Sequence, residues 1–145
     1  MQNQLDQSLA QLLSDYQVLY QKLRNYHWNV TGPLFFGLHA KFEELYLVAA
    51  ERVDGLAERL AARGMRPPST LAEQLQLARL QEDPEVPVAE DMVRRLVADF
   101  GVLVDHLRSA AKLADEAGDS AAMNLVDGFA DEEEQVAWML RAFLG

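Results

Sequence analysis

Apolar residues recur at three- and four-residue steps through most of this 145-residue chain, a period that admits α-helices and leaves no room for a sheet. Leu5, Leu9, Leu12, Tyr16, Leu19, Leu23, Tyr26 and Val30 make the first thirty residues one long amphipathic helix, ended by Thr31, Gly32 and Pro33. A second helix starts between Leu34 and Gly37 and sets Leu38, Phe42, Leu45, Ala49, Val53, Leu56 and Leu60 on its core face. It stops at Arg63-Gly64, a basic residue and a glycine of the kind that close helices. After Pro67-Pro68, Thr70 and Glu73 have capping-box spacing ahead of Leu75 and Leu77, which predicts a short helix of about ten residues ending near Leu80. Gln81 to Pro87 is a linker. Val88, Met92, Leu96, Phe100, Leu103, Leu107, Ala111 and Ala114 define a third long helix that Gly118 ends. Asp119 or Ser120 then caps a fourth, carrying Leu125, Val126, Phe129, Val136, Leu140 and Phe143. Four long helices, with a short extra helix in the connection between the second and third, predict an all-α four-helix bundle, with residues 1–145 as a single domain.

Half of the residues are hydrophobic, enough at this length for one substantial core. The absence of cysteine removes disulfides, thiolate zinc sites and thiol nucleophiles, and leaves His, Asp and Glu as the strong metal ligands. No stretch approaches the ~18 apolar residues of a membrane span. The opening MQNQLDQSLA has neither the basic nor the apolar region of a leader, so a cytoplasmic protein with no membrane partner is expected. Net charge is −10 and the first basic residue is Lys22, so the field attracts cations and repels phosphate.

Two imidazoles and three carboxylates stand out against this background. With His39 at zero on a helical wheel, Glu43, Asp54 and Glu58 fall at about 40°, 60° and 100°, one narrow stripe flanking the core face of the second helix. His27 lies near the end of the first helix. Singly, each has a plain structural explanation: His27 as a hydrogen-bonded core residue, His39/Glu43 and Asp54/Glu58 as surface pairs. Like charges one turn apart, however, weaken a helix unless something neutralises them. Together the five supply the mixed shell that suits iron, manganese or zinc. One helix cannot close one site, because the two pairs are centred fifteen residues, or roughly 22 Å, apart. A second copy packed antiparallel about a twofold axis near Val48 and Ala49 brings each pair against the other chain's complementary pair and predicts two equivalent intersubunit sites. The Glu-x-x-His pattern of an intrachain di-iron bundle is absent, since Arg24, Phe36 and Leu103 stand three residues before His27, His39 and His106.

The run Tyr26-His27-Trp28-Asn29-Val30-Thr31-Gly32-Pro33 is followed by Phe35-Phe36, Leu38-His39, Lys41-Phe42-Glu43, Asp54, Ala57-Glu58-Arg59 and Pro68-Ser69-Thr70. With the closing Trp138-Met139-Leu140-Arg141-Ala142-Phe143-Leu144, it resembles the Dps family of miniferritins over nearly the whole chain. The resemblance implies a ferritin-like bundle assembled from twofold dimers into a hollow dodecamer. It implies oxidation of Fe(II), preferentially by hydrogen peroxide, and storage of the ferric product as mineral. Two irons would sit in each intersubunit site between His27 and His39 of one chain and Asp54 and Glu58 of its mate, with Glu58 bridging. Glu43 stands where many members of the family have Asp. Trp28 matches a tryptophan that can supply an electron beside the site, and Asp119 and Asp127 are candidates for the threefold iron channels. Zinc or manganese are alternative occupants of the same ligands. Some members compact DNA through basic tails, a pattern this chain lacks at both ends; an assembly without redox activity is the remaining alternative.

Overall fold

The computed structural model describes residues 3–145 and forms five helices: α1 (Gln4–Asn29), α2 (Phe35–Ala62), α3 (Leu71–Leu77), α4 (Ala89–Glu116) and α5 (Ser120–Leu144). Among the described residues there is no strand. α1 packs chiefly on α2, and α4 on α5; α1 also meets α4 and α3, while α2 and α5 touch sparsely. The result is the expected four-helix bundle with a short helix in its long crossover.

Each boundary has a local cause. The Asn3 side chain accepts from the Asp6 amide at 2.9 Å and opens α1. Extended Val30 and left-handed Gly32 (φ 98°) turn the chain back into α2. α2 and α4 end in the same way: Gly64 and Gly118 adopt φ 83° and 71°, and the next amide, of Met65 or Asp119, reaches back to Leu60 O or Ala114 O. Asp119 then caps α5 by accepting from the Ala122 amide at 2.9 Å.

The core faces read from the sequence are largely buried, with corrections. Val53 is half-buried, and Phe143 and Val88 are 40% and 70% exposed, Val88 because it precedes the first turn of α4 rather than lying within it. On α5 the innermost positions are Ala122, Val126, Ala130, Glu133, Ala137 and Leu140, so small residues let α4 and α5 approach closely while the larger side chains fill the flanks. α3 is seven residues long and ends at Leu77 rather than near Leu80. The cause is Asp15, fully buried on α1, whose Oδ1 accepts the main-chain amides of both Arg79 and Leu80 and so draws them out of helical geometry.

Ion pairs tie the helix ends together. Arg63, just beyond α2, donates to Asp6 of α1 at 2.6 Å and to Asp119 at 2.7 Å. Lys22 of α1 meets Asp99 of α4 at 2.8 Å. The linker is pinned beside the end of α1 by Asn25, which donates to Asp83 O at 3.0 Å, and by the Tyr26 hydroxyl, which donates to the Asp83 carboxylate. No helix among the described residues is long and apolar enough to cross a membrane.

Candidate metal centre

The turn between α1 and α2 sets His27 and His39 face to face. Their rings stack with centroids 3.8 Å apart and planes 12° from parallel. Each Nδ1 lies 2.7 Å from the other residue's main-chain oxygen. A carbonyl oxygen only accepts, so both Nδ1 atoms donate, and in the neutral ring each Nε2 keeps its lone pair. That is the tautomer a metal requires, held by the kind of backbone partner that orients metal-binding imidazoles. Packing fixes the rings further. Phe35 stacks on His39 at 4.8 Å and the edge of Tyr46 meets His27 at 5.3 Å. Burial of His27 matches the core reading of its apolar stripe, yet its hydrogen bond engages only one of its two nitrogens.

Glu43, one turn beyond His39, brings Oε1 to 3.7 Å from His27 Nε2. Asp54 and Glu58 lie far along the same helix, both exposed. The Glu58 carboxyl is pushed above the usual carboxylate range by its hydrogen bond to Asp54 and by that residue's negative charge. The two carboxylates oppose each other one helical turn apart, and a cation between them would relieve that repulsion.

The five residues therefore fall into two groups, the histidines with Glu43 and the two carboxylates by themselves. Among the described residues no cluster of three or more His, Asp or Glu is arranged to hold a metal within one chain. The helix rise separates the groups, as the spacing requires. Donor chemistry fits a divalent iron, manganese or zinc ion, with imidazole from one group and hard oxygen from the other.

The remaining candidates have other engagements. Trp28 is 55% exposed, with the Arg24 guanidinium over its ring at 4.8 Å. Asp119 is held below its usual pKa by the Ala122 amide and by Arg63 and Arg59, a cap and a pair of ion contacts. Asp127 pairs with Arg108 at 2.8 Å, and the same guanidinium spans Asp131 and Glu134.

Several buried polar groups escape the periodicity argument, Arg52, Glu133 and Asp15 among them. Glu133 is 2% exposed on the inner face of α5, accepting from the Tyr16 hydroxyl beside Arg52. Its signal was available: it lies three residues before Val136 and seven before Leu140, on the apolar face. Asp15 also lies on the buried side of its helix, three residues after Leu12.

The ferritin-like domain family matches residues 7–145. The DNA protection during starvation protein of Brevibacillus brevis is 44% identical over 148 residues, an alignment covering 99% of each chain. The crystal structure of Dps from Staphylococcus aureus superposes with a TM-score of 0.96 at 38% identity, covering 100% of this chain and 99% of that one. The Dps structure from Vibrio cholerae, described as a member of a broad superfamily of ferritin-like diiron-carboxylate proteins, superposes at 0.94 with 37% identity over 97% of this chain and 89% of that one.

Proposed function

Because the chain belongs to the ferritin-like family and, within it, to the Dps proteins, we propose that it is a ferroxidase that oxidises Fe(II) at a site shared between two copies and stores the ferric product inside a hollow shell. The observation that carries this reading is the reciprocal hydrogen bonding of His27 and His39, which leaves two Nε2 lone pairs at the end of a stripe that continues into Asp54 and Glu58. His27, His39 and Glu43 of one chain take iron together with the partner subunit's Asp54 and Glu58. Anionic oxygen ligands favour Fe(III) over Fe(II), which drives the oxidation. Two Fe(II) give one electron each to a single peroxide, which with two protons leaves as two waters, so no hydroxyl radical is released.

In the same reading Trp28 guards the site as an auxiliary electron donor, and Asp127 and Asp119 lie along the path by which iron enters. The shell is the family's dodecamer. Zinc and manganese compete for the same ligands rather than replacing the function. A net charge of −10 weighs against compaction of DNA as the primary activity.

Anaerobic loading with Fe(II), then addition of peroxide, tests this directly. Rapid oxidation with iron co-eluting with the assembly, both impaired in His27→Ala/His39→Ala, is expected. Oxidation no faster than in buffer sinks the ferroxidase reading. Oxidation that survives the double substitution moves the site elsewhere.

A further inference from the structure

The ferritin-like fold carries an expectation that this chain does not meet. Diiron-carboxylate bundles hold metal between their four helices, with a carboxylate projecting inward from each. Here the corresponding middle level presents Tyr16 from α1, Arg52 from α2, Phe100 from α4 and Glu133 from α5, all lining one small cavity of about 90 Å³ where α2 and α5 pack loosely. The inward face thus offers one carboxylate and one guanidinium, which does not fit an intrachain metal pair.

Arg52 is only 9% exposed and heavily engaged. Its Nε is 3.6 Å from the Glu133 carboxylate, its Nη2 bonds Glu132, and its guanidinium lies 4.3 Å over the Phe129 ring. Glu133 also accepts from the Tyr16 hydroxyl. Burial raises the pKa of both Glu133 and Tyr16, as expected for anionic oxygen away from water. Arg52 Nε, although buried, makes no hydrogen bond, so ideal pairing is not what holds the guanidinium there. Its positive charge among oxygen atoms is the common feature.

We infer that Arg52 is the resident cation of the bundle interior: its guanidinium takes the place a divalent metal would occupy among Glu133, Glu132 and Tyr16, and keeps metal out of the helix core. Glu132 lies at the cavity's mouth, its side chain 64% exposed, whereas Glu44, also at the mouth, is paired with Lys41 at 3.3 Å. The inward Glu133 carboxylate with the Tyr16 hydroxyl, and Glu132 at the exposed rim, would leave three oxygen-bearing side chains around a vacated cationic position, the donor type that a hard divalent ion prefers. The inference stands apart from the ferroxidase reading, because it concerns residues that reading does not use.

The test first removes the two histidines of the proposed intersubunit site. In His27→Ala/His39→Ala protein, Mn²⁺ binding is counted by equilibrium dialysis and by the loss of the free-ion EPR signal at neutral pH and moderate salt. Adding Arg52→Ala should create about one further Mn²⁺ site per chain, and adding Glu133→Gln to that variant should abolish it. Arg52→Lys, which keeps a cation, should gain none. A folded Arg52→Ala variant that binds no more Mn²⁺ than its parent overturns the inference; Glu133 has then simply taken up a proton. Should Arg52→Ala unfold alone, Mn²⁺ must restore its helical circular dichroism, and failure to do so is equally adverse.

Discussion

Replacing Asp15 with alanine should release the linker between α3 and α4. The carboxylate is fully buried and accepts four hydrogen bonds: the Arg79 and Leu80 amides on Oδ1, and Arg79 Nε and Nη2 on Oδ2 at 3.1 and 2.9 Å. The Arg79 side chain is 28% exposed, so its guanidinium can turn to water once freed. The Leu80 amide is buried and has no such escape, and the Arg79 amide is part-buried; at about 2 kcal/mol for each amide left without an acceptor, the cost reaches at most roughly 4 kcal/mol. Asp15→Asn should cost only about 1 kcal/mol, because the amide oxygen still accepts both main-chain N–H groups while the charge-assisted bonds to Arg79 are lost. His106 Nδ1, 3.6 Å from Oδ2, is buried without a partner and can accept from the new amide nitrogen. Hydrogen exchange at Arg79 and Leu80 reads the effect locally. Four kcal/mol corresponds to a roughly 1000-fold larger opening equilibrium in the alanine variant. Unfolding in denaturant at fixed protein concentration supplies the global value. Unchanged protection of the Leu80 amide, or a loss below about 1 kcal/mol, would refute the reasoning and shift the anchoring to Asn25 and Tyr26.

Three further outcomes are expected. His27→Ala and His39→Ala should each weaken Co²⁺ or anaerobic Fe(II) binding by at least 10- to 100-fold, roughly the range seen even for loss of an outer partner, as measured by titration. Because the Nδ1 acceptors are main-chain oxygens, each single substitution leaves the other ring's tautomer locked; equal affinity in either variant would remove that histidine from the site. Asp54→Asn should lower the Glu58 pKa, since the hydrogen bond and charge of Asp54 are what raise it; NMR titration of the side-chain carboxyl checks this, and no change would mean the two are not coupled. Burial and the nearby Arg79 charge depress the His106 pKa below its ordinary 6.5. The unfolded chain therefore binds the proton more readily, and stability falls as pH drops through 6.5 toward the folded-state value. His106→Gln should flatten that part of the Tm–pH curve, and an unaltered slope would show that other groups set it.

The helical period and the Gly and Pro punctuation were sufficient to read four long helices and a short one, because amphipathic burial and chain reversal are properties of local sequence. The candidate site was legible only as residue type and spacing: His39, Glu43, Asp54 and Glu58 share one helix, so their angular stripe and axial separation follow from helix geometry alone. The turn that stacks His27 on His39, and the exchange of bonds with each other's carbonyls, arise only when α1 and α2 fold back on one another. Neither ring has that partner in an isolated helix. The end of α3 and the interior of α5 depended in the same way on other helices. Asp15 captures amides 64 and 65 residues away, and Glu133 is buried where Tyr16 and Arg52 arrive from α1 and α2. Periodicity reports which face turns inward, whereas the partners of a polar group on that face are chosen by packing between segments distant in the chain.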